Sequence, residues 1–138
     1  MSTVDVAREQ IEAFNAGDWD RFQATLSSDC VYDEPGTQRH AEGADDIVEL
    51  NRGWKEVFPD AHGTVHRAVA ANGTVTLEIT WEGTQSGTFH TPGGDLPPSG
   101  RRVEVKAAQV FDVEGDKIKE AHHYFDLAGM LQQLGASG

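Results

Sequence analysis

The chain has 138 residues, 38% of them hydrophobic, which is the length of one domain and enough for one buried core. Eleven basic against twenty-three acidic side chains give a formal charge of −12, a field that repels phosphate backbones and anionic lipid, so neither nucleic acid nor membrane is expected as a partner. No apolar run approaches the roughly 18 residues of a spanning helix, and the first ten residues carry no basic or apolar leader segment, so a cytoplasmic location is expected.

Val4, Ala7, Ile11 and Phe14 recur at helical spacing and leave Arg8, Glu9 and Glu12 for solvent, which predicts an amphipathic helix ended by Gly17. Asp18 is a good N-cap for a short second helix with Trp19, Phe22 and Leu26 inward. Cys30 to Glu34 alternates and stops at Pro35-Gly36, as a brief strand entering a turn does. Cys30 is the only cysteine, so there is no internal disulfide and no thiolate metal cluster. A third helix from about Gly43 carries Ile47, Leu50, Trp54 and Val57 inward and ends at Pro59, whose ring cannot continue it.

Beyond Pro59 the period changes to two. Val65 to Ala71 and Thr74 to Trp81 flank Asn72-Gly73, a dipeptide suited to a tight hairpin turn. Val75, Leu77, Ile79 and Trp81 share one face, so the sheet has one covered side. Thr84 to Thr91 reads as a bulged strand and 92–100 as a long loop. Val103, Val105, Ala107, Gln109 and Phe111 then share a face, which places one amide on an apolar surface. In the last strand, Lys117 to Asp126, His123 shares a face with Ala121 and Phe125, while His122 goes with Ile118, Glu120 and Tyr124. That second set is expected on the outer face, where Val110, Ile118 and Tyr124 suggest a homodimer contact. Asp126 is placed to N-cap a closing helical turn around Leu127 to Leu134. Helices followed by a meander of strands predict a single α+β domain over residues 1–138, with the helices packed on one sheet face.

Phe14-Asn-Ala-Gly-Asp-Trp19, the Tyr32-Asp-Glu-Pro-Gly36 turn, Trp81 to Phe89, Pro98-Ser-Gly-Arg-Arg-Val103 and Ile118 to Gly135 together resemble the SnoaL-like polyketide or ester cyclase family, within the nuclear-transport-factor-2-like superfamily. The resemblance implies a cone-shaped, curved antiparallel sheet closed by three N-terminal helices around a pocket for a small hydrophobic molecule. It also implies an acid/base aspartate where His123 stands, a histidine where Gln109 stands, often a histidine where Asp33 stands, and in many relatives a histidine at Gln85. Carboxylate and imidazole have thus exchanged places, with Asp33 early and His123 late.

His123, Asp33 and Gln109 are therefore the candidate catalytic residues, with Phe14, Tyr32, Trp54, Gln85, Phe111 and Phe125 as candidate substrate contacts. Intramolecular aldol closure needs only removal of an acidic carbon-bound proton, stabilisation of an enolate and protonation of a carbonyl oxygen, so no cofactor is expected. A histidine with an ordinary pKa of about 6.5 can accept and return that proton. Each candidate also has a plain reading: His123 as a satisfied wall histidine, Asp33 as a turn residue, Asp126 as a cap. Trp19, Trp54 and Trp81 stand at core spacing. His40, His62, His66 and His90 are scattered without ligand spacing, so no metal is expected. Two functions stay open, a cofactor-independent cyclase or isomerase and a non-catalytic small-molecule binding domain.

Overall fold

The computed structural model describes residues 1–136. Helix α1 (Thr3–Ala16) starts at a capping box, in which Ser2 and Asp5 each accept the other's backbone N–H at 3.1 Å. Helix α2 (Trp19–Ala24) is capped by Asp18, as the sequence predicts, but it ends before Leu26, which opens strand β1 (Leu26–Glu34). A 3-10 turn at Pro35–Thr37 leads into β2 (Arg39–Glu42), a short strand that periodicity did not reveal, and then into α3 (Ala44–Val57). Strands β3 (His62–Ala71) and β4 (Thr74–Thr84) follow. They are joined at Asn72 and Gly73, with φ of 54° and 81°, the left-handed pair that a two-residue hairpin turn requires.

The segment read as a bulged strand and loop is organised differently. β4 runs on to Thr84, and β5 (Phe89–Thr91) and β6 (Gly94–Leu96) form a separate small hairpin. Gln85 organises this excursion and is wholly buried. Its amide nitrogen donates to the carbonyls of Gly87, Leu96 and Pro97, and its oxygen accepts from the Ser99 hydroxyl at 2.6 Å. The long strands β7 (Arg102–Glu114) and β8 (Lys117–Phe125) follow, and α4 (Leu127–Gln133) is capped by Asp126.

The main sheet is curved and open, with order β2-β1-β8-β7-β4-β3. The expectation of an antiparallel sheet needs one correction: β1 lies parallel to β8, and the other neighbours are antiparallel. The first and last strands of the chain become adjacent, so residues such as Tyr32 and Ala121, far apart in sequence, share the same stretch of wall. Helices α1, α2 and α3 cover the concave face, and the core there includes Val6, Ile11, Phe22, Ile47, Leu77, Ile79 and Phe111. None of the helices in the described residues is long and apolar enough to cross a membrane.

Ile118 does not lie outward. An irregularity in the β7–β8 pairing between Asp112 and Val113 shifts the register, so Ile118 pairs with Val113 and is completely buried, while His122 and Tyr124 remain outward. The outer face therefore lacks one of the apolar residues on which the dimer expectation rested.

Candidate active site

Antiparallel pairing sets Gln109 on β7 directly opposite His123 on β8. Both point into the concave side and both are buried, at 3% and 7% exposure. They face a cavity of about 60 Å³ between the sheet and the helices. Its walls are mostly apolar, with Ile11 and Phe14 from α1, Phe22 from α2, Trp54 from α3, Val103 and Val105 from β7, Phe125 from β8 and Met130 from α4. Gln10, Asn51, Gln109 and His123 contribute neutral polar groups, and Glu82 stands in the wall, paired to Arg102 at 3.4 Å.

Three of the six expected contact residues, Phe14, Trp54 and Phe125, line the cavity. Phe111 is packed in the core beneath it, and Gln85 is committed to the β5–β6 excursion. Tyr32 stands behind the wall, bonded to His123. Asp33 is not brought to the cavity. The β1–β8 register pairs it with His122, and its carboxylate lies on the outer face, 3.7 Å from His40 and 3.8 Å from His122.

The carboxylate on the inner side is Glu34, which the sequence reading passed over. Side chains alternate along β1, so Cys30, Tyr32 and Glu34 are buried together while Asp33 points away. Glu34 is fully buried and accepts hydrogen bonds from the Tyr32 hydroxyl at 2.6 Å, the Trp54 indole N–H at 2.9 Å and the Thr37 hydroxyl at 2.6 Å. The Arg39 guanidinium, 3.9 Å away, supplies the nearest positive charge. Three donors and a cation are what a carboxylate needs to remain in the interior.

Hydrogen-bond direction then fixes the imidazole. Tyr32 has one hydroxyl proton and gives it to Glu34, so its oxygen, 3.0 Å from His123 Nδ1, accepts from Nδ1–H. At the other ring nitrogen the Trp81 indole N–H donates to Nε2 at 3.1 Å. His123 is thus the Nδ1–H tautomer, with its lone pair at Nε2 taken by Trp81, another residue of the cavity wall. Burial pushes its pKa down to about 4, only partly opposed by the negative charge of Glu34. Burial and the same carboxylate hold the Tyr32 phenol well above its ordinary value, so it stays a donor.

Gln109 is the opposite case. Its buried amide oxygen has no hydrogen-bond partner among the described residues. An orphaned acceptor costs on the order of 1–3 kcal/mol. Gln109→Leu is therefore expected to raise stability by about 1 kcal/mol, read as a higher urea midpoint at unchanged slope, while weakening binding of any ligand that uses the amide. Among the described residues no group of three His, Cys, Asp or Glu side chains could hold a metal ion.

A curved sheet capped by helices over a largely apolar cavity, with a buried imidazole and an amide converging inside, is the class of α+β cone that includes structures of ketosteroid-isomerase-like fold. A family profile for SnoaL-like polyketide cyclases matches residues 4–134, and the chain belongs to that family. Among solved structures it is similar to IdmH from Streptomyces antibioticus, described as a candidate polyketide cyclase, at 26% identity and TM-score 0.84, covering 99% of this chain and 100% of that one. A SnoaL-like protein from Jannaschia sp. CCS1 superposes at TM-score 0.85 with 20% identity, covering 99% and 93%. An epoxide hydrolase from M. tuberculosis, described as similar to LEH, gives 0.76 with 22%, covering 96% and 88%; these last two likenesses speak for the fold alone. No curated protein shows significant similarity to the chain.

Proposed function

We propose that the protein is a cofactor-independent general acid/base enzyme acting on a small, neutral, hydrophobic and oxygenated substrate, by aldol-type polyketide cyclisation or a related isomerisation. The observation that carries this is the buried His123, a lining residue of a mostly apolar cavity, whose Nδ1 is held by Tyr32 with Glu34 behind it. Family membership supports the same reading.

His123 Nε2 takes a proton from a carbon flanked by carbonyl groups, and the C–H electron pair becomes the enolate. The enolate carbon bonds to the acceptor carbonyl carbon, whose π pair moves to oxygen. That oxygen takes the proton back from Nε2, which restores neutral His123. While the ring is cationic, Nδ1–H continues to donate to Tyr32, and the Glu34 charge behind it offsets the imidazolium. Gln109, directly across the strand pair, can turn its amide N–H to the enolate oxygen. A base whose pKa is about 4 suits only an already acidic proton, which fits a 1,3-dicarbonyl carbon better than a simple ketone.

With such a substrate, His123→Ala is expected to lower kcat by about a hundredfold with near-ultraviolet circular dichroism unchanged. Equal rates in variant and wild type would defeat the proposal. One observation favours a second reading, a binding domain without turnover: both ring nitrogens of His123 already have protein partners. Mass spectrometry separates the two, because a binding domain returns its ligand unaltered.

A further inference from the structure

Two features of the site conflict with substrate entry as the cavity stands. Small-molecule pockets usually enclose roughly 300–1,000 Å³, whereas this one encloses about 60 Å³. The lone pair that would take the proton is also already bonded, by the Trp81 indole at 3.1 Å. Movement of a single side chain would free the lone pair and enlarge the cavity.

We propose that Trp81 is a substrate-displaced cap: its indole occupies the substrate's place at His123 Nε2 in the empty protein and swings away when substrate enters. The proposal rests on the reading of His123 as the base. The other indole in the wall is tied down. Trp54 donates to the buried Glu34, and its ring lies against the fully buried Phe89. Trp81 is only partly buried, near the end of β4, and its indole N–H is committed to His123 itself. It packs edge-on against Phe14, another lining residue, at 5.1 Å between ring centres.

Its seat is shaped to receive a flat ring. On the neighbouring strand β3, Gly63 pairs with Trp81, and a Cβ at Gly63 would come within 2.6 Å of the indole. Asn15 at the end of α1 holds that glycine by both backbone groups, donating to its carbonyl at 2.9 Å and accepting its N–H at 2.8 Å. Asn15 and Gly63 thus act as positioning residues for the cap. A donor on the ligand replaces the indole at Nε2, so the histidine exchanges one hydrogen bond for another and the cavity gains the volume of a bicyclic ring.

The test uses 2-naphthol, a flat apolar molecule with one hydroxyl, and 15N NMR of the indole and imidazole nitrogens. In the wild type, saturation with 2-naphthol is expected to move the Trp81 Nε1–H resonance away from its hydrogen-bonded position while His123 Nε2 keeps an acceptor's shift. Trp81→Phe, which keeps a ring but loses the N–H, is expected to bind 2-naphthol about tenfold more tightly, the equivalent of one hydrogen bond that no longer has to be broken. Should that variant not fold, Gly63→Ala, which pushes the indole off its seat, is expected to show the same tightening. Binding with the Trp81 resonance unmoved, equal affinity in wild type and variant, or no binding to either would overturn the cap. The signals are read without turnover, so a failed cap and a failed acid/base assignment are distinguishable; the latter is decided by the His123→Ala rate.

Discussion

Glu34→Ala is expected to destabilise the protein by about 3 kcal/mol or more, a loss large against the roughly 5–15 kcal/mol that holds a domain of this size. Glu34 is wholly buried, and its two oxygens accept from Tyr32, Trp54 and Thr37. Truncation opens a void and removes the acceptor of Tyr32 and Trp54, while Thr37 keeps only the Glu34 backbone carbonyl at 3.3 Å. Each hydrogen bond to a charged group contributes about 1.5–3 kcal/mol, and relief of the carboxylate's own desolvation offsets part of the sum. The Arg39 guanidinium still donates to the His90 carbonyl at 2.8 Å, so it is not stranded. At roughly 2–4 °C per kcal/mol, the melting temperature should fall by about 6–12 °C. Glu34→Gln keeps the shape and one acceptor oxygen, and should recover most of that loss. It should also loosen the His123 tautomer, since Tyr32 is then no longer obliged to direct its proton away from the imidazole. A melting temperature within about 2 °C of wild type for Glu34→Ala would show that this carboxylate supports neither the fold nor the site.

The contrast between Asp33 and Glu34 marks how far the sequence could be read. Alternation made the face containing Gln109 legible, and likewise the face containing Ala121, His123 and Phe125, because each long strand carries its own pattern of apolar residues. The same rule applied to Tyr32-Asp33-Glu34 forbids Tyr32 and Asp33 from sharing a side. With Cys30 and Tyr32 inward, Glu34 must join them. Analogy with the family's early histidine drew attention one residue too early, and strand parity alone would have corrected it. What the sequence did not hold is pairing between distant strands. The parallel β1–β8 contact brings Glu34 beside His123, and no local pattern announces it. The same holds for the irregularity that turns Ile118 inward, and for Trp81, which has the spacing of a core residue but whose bond to His123 appears only once β4 and β8 are both laid beside β7. The fold class and the inward placement of Gln109 and His123 follow from periodicity. Their partners follow from topology.

Burial of His123 in its neutral form should also set the acid limit of stability. An unfolded chain exposes this imidazole with a pKa near its ordinary value of 6.5, whereas the folded protein holds it at about 4. Between those values the unfolded state binds the extra proton, so acid favours unfolding. The stabilisation is fully present above pH 6.5 and is lost progressively as the pH falls through 4. A difference of this size corresponds to about 3 kcal/mol. Urea unfolding from pH 7.5 down to pH 4 should therefore show wild-type stability falling by about 3 kcal/mol more than that of His123→Gln, which keeps a neutral polar side chain but has no proton to gain. The remaining carboxylates and histidines are common to both proteins and largely cancel in the difference. Parallel acid limbs would mean that the folded protein takes up the proton at little cost, and that the cavity around His123 admits water freely. A steeper wild-type limb would establish the dry, neutral imidazole on which both the proton transfer and the Trp81 cap depend.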